Sequence, residues 1–169
     1  VALYKRSQLD KALPIIEELI KEYHDDPFFH ELKGKMLFEN GRAKAALPSY
    51  ERAARLLPTS ALLRGGLARV QLDIGKPKLI SQAIGNFRSA LKKEPRNAFY
   101  WRQLGIAYGK LNLIGESSLA LAEEAILRGE VANAVRLANR AKSAFLTGSP
   151  DWIRADDILT NAKHRSSKP

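Results

Sequence analysis

A recurrence at 34 residues constrains the fold of this 169-residue chain more than any other feature of the sequence. Ala12-Leu13-Pro14 returns as Ala46-Leu47-Pro48 at that offset. The clearest copy is the stretch 27–58, in which apolar residues follow helical spacing on both sides of an Asn40-Gly41 turn. Glycine tolerates the left-handed backbone conformation that ends many helices. The stretch therefore predicts a hairpin of two amphipathic helices.

Small and large side chains keep a fixed order within this hairpin. Counted from Pro27 as position one, positions eight, fifteen, twenty, twenty-four, twenty-seven and thirty-two hold Gly34, Gly41, Ala46, Tyr50, Ala53 and Pro58. The same signature returns further along the chain in Trp101, Leu104-Gly105 and Tyr108. This order and its period resemble the tetratricopeptide repeat. The resemblance implies an all-α fold, a solenoid of about nine antiparallel helices.

Alignment of the repeats predicts one superhelical domain and a short tail. The domain covers residues 1–163 and the polar tail covers residues 164–169. Within the domain, the predicted repeats lie near 1–26, 27–60, 61–97, 98–114 and 115–148, and a cap helix follows at 149–163. We expect the cap helix to begin behind Ser149-Pro150 and to dock Trp152, Ile153, Ile158 and Leu159.

Three irregularities interrupt the regular array. Ser7-Gln8-Leu9-Asp10 reads as a turn between a first helix ending near residue 6 and a second helix over residues 9–24. Three extra residues precede Ala83, and we expect them in the turn that begins at Gly75, because insertions in such arrays fall in turns. After Gly115 the pattern shifts by half a repeat, since Gly129 takes the next turn position. One helix must then pack as the second helix of the preceding hairpin and as the first helix of the following one.

Composition excludes several classes of site. The chain has no cysteine, and it contains no run of about 18 apolar residues that could span a membrane. His30-Glu31 begins a His-Glu-x-x-His zinc motif, but Gly34 stands where the second histidine is required. No Ser, His and Asp set and no phosphate-binding loop is recognisable. We therefore predict a non-enzymatic chain without a cofactor or metal of its own.

The net charge of +10 favours acidic partners in general. The basic residues are spread over the repeats and the tail, without aromatic residues interleaved on one face. Nucleic acid is therefore an unlikely main partner, and solvation of the surface accounts for most of the charge. A nucleic-acid binder would show affinity that falls steeply with salt.

Stacked helical hairpins form a concave surface lined by the first helix of each repeat. In tetratricopeptide proteins this groove takes a peptide or helix through positions two, five, nine and twelve. The corresponding residues combine apolar and charged side chains, which suits a polypeptide segment with apolar anchors. An alternative is that Phe28 and Phe99 only cover adjacent helices. The predicted groove residues are Phe28, Glu31, Lys35, Phe38, Leu62, Arg69, Phe99, Arg102 and Ile106.

Longer motifs resemble one particular protein class. They are His30-Glu31-Leu32-Lys33-Gly34, Trp101-Arg102-Gln103-Leu104-Gly105, Leu119-Ala120-Leu121-Ala122-Glu123 and the closing Gly148-Ser149-Pro150 with Trp152 and Asp157-Ile158-Leu159. Together they resemble the C-terminal repeat region of periplasmic zinc metallopeptidases similar to the β-barrel assembly-enhancing protease. The resemblance implies a periplasmic role in outer-membrane protein quality control, with a zinc peptidase domain in the same parent chain as a partner.

The opening of the chain fits that expectation, because Val1 lies inside a periodic segment and suggests a fragment of a longer protein. Zinc is then expected only in the preceding peptidase domain, since no residue of the zinc motif can be carried over to this chain. The alternative is a stand-alone scaffold or co-chaperone that binds one specific peptide.

Overall fold

The computed structural model describes the backbone of residues 2–166 and the side chains of residues 9–164. Within those residues the only regular elements are nine α-helices, which confirms the all-α expectation. They are α1 (Ala2–Glu22), α2 (Pro27–Glu39), α3 (Ala43–Leu56), α4 (Ala61–Ile74), α5 (Pro77–Lys93), α6 (Ala98–Lys110), α7 (Ile114–Leu127), α8 (Val131–Ala144) and α9 (Pro150–Ser166).

The helices group into two compact units that divide at Ala90, within α5. A buried cluster of the first unit contains Leu37, Tyr50 and Val70, and a buried cluster of the second contains Leu137 and Ile158. None of the described helices is both long enough and apolar enough to cross a bilayer.

The α2–α3 hairpin forms where the sequence predicts it. The Asp26 carboxylate accepts hydrogen bonds from the backbone N–H groups of Phe28 and Phe29, at 2.7 and 3.3 Å, and so caps α2. Gly41 takes the left-handed conformation in the turn, with φ of +73°. Only three residues connect α2 to α3 and the two helices pack against each other, so they run antiparallel.

Tyr50 of α3 fits between two glycines on neighbouring helices. A Cβ atom at Gly34 of α2 would lie 2.7 Å from Tyr50 Cδ2, and one at Gly66 of α4 would lie 2.6 Å from Tyr50 Cε1. Both distances are too short for a real side-chain carbon. Gly66 therefore serves close packing of α4 against α3.

α7 packs toward both of its neighbours, as the half-repeat shift requires. In the first hairpin the small residue and its aromatic partner are sixteen positions apart. The same spacing joins Gly105 of α6 to Leu121 of α7, whose Cγ would lie 2.7 Å from a Cβ on the glycine. It also joins Ala122 of α7 to Ala138 of α8, and both alanines are fully buried in one cluster. α7 is therefore the second helix of one hairpin and the first helix of the next.

Left-handed turn residues record the same shift. Three of the five in the described part of the chain are Gly41, Asn112 and Gly129, with φ of +73°, +63° and +78°. Each lies seven residues after the small packing residue of its hairpin. Asn112 and Gly129 are seventeen residues apart, half of the 34-residue period. The predicted shift near residue 115 is confirmed.

The turn expected at residues 7–10 is wrong, because α1 is continuous from Ala2 to Glu22. This stretch contains neither glycine nor proline, so nothing interrupts the helix there. Leu9 and Ile16, seven residues apart, share one buried helix face, whereas the neighbouring Ile15 is 62% exposed. Pro14 consequently lies inside the helix.

The three inserted residues also lie in a helix and not in a turn. Gly75 ends α4 in the left-handed conformation, and α5 begins at Pro77. The buried residue Ala83 is the seventh residue of α5, whereas its counterpart Ala46 is the fourth of α3. Proline is favourable at the first helical position, because its missing N–H has no partner to lose there. The insertion therefore adds most of one turn to the start of α5.

The last helix begins as predicted and ends later. The Ser149 hydroxyl accepts a hydrogen bond from the Trp152 N–H at 3.3 Å. α9 continues to Ser166, three residues beyond the expected end, and the remainder of the predicted tail lies outside the described residues. Ile158 is buried as expected, but Ile153 is 48% exposed and does not dock into the core.

Candidate functional site

In the first unit, the predicted groove residues lie on α2 and α4. The structure brings two of them together, because the Arg69 guanidinium carbon lies 5.3 Å from the centre of the Phe38 ring, within cation–π range. Phe28 and Leu62, in the first turns of their helices, are each about half exposed. These four side chains give the unit an accessible surface that is partly apolar and partly basic.

Glu31 and Lys35 lie one helical turn apart on α2, beside this surface. Partial burial raises the pKa of Glu31, although the nearby Lys35 ammonium acts in the opposite direction. The charges of Glu31 on α2 and Arg69 on α4 act in opposite directions on the pKa of Tyr50. Burial, assisted by the charge of Glu31, raises the pKa of Tyr50 to about 12.

The pKa of Tyr50 predicts a loss of stability at high pH. The unfolded phenol ionises near its ordinary pKa of 10.0, whereas the folded phenol keeps its proton to about 12. The folded state thus binds more protons between these values, and stability falls as pH rises through them. At about pH 11 the loss from this residue should be on the order of 1 kcal/mol. Urea unfolding of the wild type and of Tyr50→Phe between pH 9 and 11 measures it, and parallel curves for the two proteins would contradict it.

In the second unit, Phe99, Arg102 and Ile106 lie on α6. All three side chains are exposed, and their spacing places them along one helix face. Hydrogen bonds from Asn133 and Arg128 lower the pKa of Glu130, and Arg102 makes a smaller electrostatic contribution in the same direction. The assignment of the groove residues in both units stays a prediction.

The second unit also contains a cleft between α7 and α9, with a volume of about 450 Å³. Its walls combine aliphatic side chains with two carboxylates, one guanidinium and one amide. The lining residues are Glu123, Ile126, Pro150, Ile153, Arg154, Asp157, Ile158 and Asn161.

These residues are not among the predicted groove residues, although the repeat register points to them. With Gly115 as position one, Glu123 and Ile126 occupy positions nine and twelve of the shifted repeat. Continuing the 34-residue count to Ser149, positions two, five and nine hold Pro150, Ile153 and Asp157. These are the positions used to predict the groove on earlier helices. They were missed because α7 was treated only as a junction and α9 only as a cap.

The charged groups of the cleft differ in what they contact. Arg154 Nε donates a hydrogen bond to Glu123 Oε1 at 2.5 Å. The same guanidinium lies 4.8 Å from the centre of the Trp101 ring. The Asp157 carboxylate, by contrast, has no ion pair or hydrogen bond to the side chain of any other described residue. The cleft therefore contains one compensated cation and one carboxylate that is available to a ligand.

His30, the first residue of the incomplete zinc motif, makes a hydrogen bond through Nε2 to the backbone carbonyl oxygen of His24, at 2.9 Å. Among the described side chains, no three or more His, Cys, Asp or Glu residues lie close enough to hold a metal ion.

Comparison with known families identifies one match. The tetratricopeptide-repeat family model matches residues 1–61, which include α1, α2 and α3. No curated protein sequence matches the chain.

Several solved structures share the fold. MamA (residues 41 to the end) from Desulfovibrio magneticus RS-1 is 20% identical, with a TM-score of 0.69, covering 98% of this chain and 91% of that one. A further crystal structure of MamA is 17% identical, with a TM-score of 0.68 and coverage of 98% and 94%. TTC0263, a thermophilic tetratricopeptide-repeat protein of Thermus thermophilus, is 19% identical, with a TM-score of 0.53 and coverage of 94% of each chain. The chain thus has an all-α fold of the tetratricopeptide-repeat type.

Proposed function

We propose that this chain is a non-catalytic domain that binds polypeptide segments of protein partners. The observation that carries the proposal is the position of the α7–α9 cleft, which lies at the repeat positions expected to face a ligand. The exposed apolar residues at equivalent positions on α2, α4 and α6 support it. A polypeptide ligand would place apolar side chains against these residues, in the manner of other helical grooves.

Aromatic truncation tests the proposal in each unit separately. Binding of fluorescently labelled peptides from an outer-membrane β-barrel strand is measured by anisotropy on the wild type, Phe28→Ala and Phe99→Ala. Because exposed aromatic anchors dominate many interfaces, we expect each substitution to weaken binding about tenfold. Leu146, which is 84% exposed between α8 and α9, supplies the control substitution Leu146→Ala. Equal affinity in all four proteins would remove Phe28 and Phe99 from the binding surface, and no binding to the wild type would count against the function itself.

We further propose that the domain acts within a periplasmic zinc metallopeptidase and presents substrates or assembly partners in outer-membrane protein quality control. The motifs around His30, Trp101, Leu119 and Trp152 support this assignment through their resemblance to that class. Zinc and the catalytic residues would then belong to a peptidase domain elsewhere in the parent protein.

The upstream reading frame tests this more specific role. A His-Glu-x-x-His helix encoded before Val1, whose product binds one zinc ion per chain and cleaves a test protein, would support it. An upstream sequence without that motif would favour a stand-alone scaffold that binds a specific peptide.

A further inference from the structure

The α7–α9 cleft is lined by aliphatic side chains and by more negative than positive charge. Ile126 and Ile158 are buried in its wall, and Ile153 stands half exposed at its side. Ile153 and Asp157 lie one helical turn apart on α9, and Asn161 lies one further turn along. An apolar surface thus leads directly to a carboxylate and then to an amide.

The one cation among the described residues that line the cleft is already compensated. Arg154 is hydrogen-bonded to Glu123 at 2.5 Å and stacks over Trp101 at 4.8 Å. Asp157 has no such partner among the described residues, so the lining residues together carry one net negative charge. This sign is opposite to the net charge of +10 on the chain. An anionic ligand group would therefore meet an unpaired carboxylate and a guanidinium that is already engaged.

The amino end of α9 does not make the cleft favourable for an anionic ligand group. The amino end of a helix carries a partial positive charge that attracts anions. Asp151 already places a carboxylate in the first turn of α9, beside Pro150 of the cleft. The local charge at this end is thus balanced within the chain.

We propose that the cleft binds a lysine or arginine side chain of the polypeptide partner. This inference rests on the proposed function and specifies the chemistry of its ligand. The aliphatic stem of the bound side chain lies along Ile153 and Ile126, and its cationic head reaches Asp157. The amide oxygen of Asn161 accepts a further hydrogen bond from the same head. Long cationic side chains suit such a site, because their stems cover apolar surface while their heads stay hydrated.

Minimal amino-acid probes test the cleft without requiring the natural partner. The full chain, labelled with ¹⁵N, is titrated with the N-acetyl methylamides of lysine, arginine and norleucine, and the backbone amides of residues 150–161 are followed by NMR. We expect saturable shifts with lysine and arginine and about fivefold weaker binding of norleucine, the uncharged isostere. Equal dissociation constants for lysine and norleucine would overturn the inference.

Two matched substitutions locate the interaction. Asp157→Asn should reduce the affinity for the lysine probe to that for norleucine. Asp151→Asn makes the same change in charge on the same helix, but outside the lining of the cleft, and should leave the affinity within twofold of the wild type. Equal losses in both variants would indicate a general electrostatic effect and would also overturn the inference.

The outcomes separate this inference from the proposed function. If the strand peptides bind but the lysine probe does not distinguish Asp157→Asn from the wild type, the cationic site is wrong and the polypeptide-binding function stands. If the lysine probe binds at Asp157 but no peptide binds, the cation site stands and the proposed function is wrong.

Discussion

Phe87→Ala is expected to lower the free energy of unfolding by about 3–5 kcal/mol, the largest effect of any substitution considered for this chain. Phe87 is the largest described side chain in the first unit that has no exposure to solvent. Its removal loses the favourable free energy of burying the ring away from water. It also leaves a cavity, which the closely packed neighbours fill only in part. Urea unfolding followed by circular dichroism measures the loss.

Phe99→Ala is the matched control, since it removes the same ring from a site that is 43% exposed. Its effect on stability should be less than about 1 kcal/mol, because less apolar surface is buried there. The two substitutions therefore separate folding from binding: Phe87→Ala affects stability, whereas Phe99→Ala affects peptide affinity. A loss for Phe99→Ala as large as that for Phe87→Ala would contradict the exposure seen in the structure.

Replacing both Gly34 and Gly66 by alanine is expected to destabilise the first unit by about 3 kcal/mol. Each new methyl group would lie less than 3 Å from the Tyr50 ring, on opposite edges of it. Either substitution alone lets the ring shift toward the remaining glycine, and the higher helix propensity of alanine offsets about 1 kcal/mol of the strain. In the double variant the Tyr50 ring meets a methyl group on both sides and cannot shift away from either. The loss of stability should therefore exceed the sum of the single losses.

Two further variants test whether contact with the Tyr50 ring causes the loss of stability. Tyr50→Leu in the double-alanine background should restore part of the lost stability, because it removes the ring that the methyl groups meet. Gly85→Ala is the control for helix propensity, since a Cβ atom at Gly85 would meet nothing within 4 Å, and it should stabilise α5 by up to about 1 kcal/mol. Strictly additive losses, or no recovery with Tyr50→Leu, would show that the ring does not limit the packing.

The sequence was sufficient where one residue decides the local structure. Gly41 and Gly129 mark turns because few other residues adopt their backbone conformation, and the Asp26-Pro27 pair specifies a helix start. The half-repeat shift could be found for the same reason, since it follows from the distance between two turn positions. These features depend on the conformational preferences of single residues, which can be read from the sequence.

The predictions failed where the local sequence is compatible with either a turn or a helix. Ser7-Gln8-Leu9-Asp10 tolerates either a turn or a helix, and the burial of Leu9 together with Ile16 decides for the helix. Pro77 can stand in a turn or open a helix, and α5 begins there. The cleft was missed because α7 was treated only as a junction and α9 only as a cap. The contact between Glu123 and Arg154, which are 31 positions apart, follows from no local pattern.

The double role of α7 limits how this chain can be divided. In a regular array, one hairpin can be deleted or transplanted, because each helix has its principal partner within its own repeat. α7 has such partners on both sides, Gly105 in α6 and Ala138 in α8. A cut on either side of α7 would expose one of these faces, so the smallest module that can be exchanged in this region has three helices, from Ala98 to Ala144.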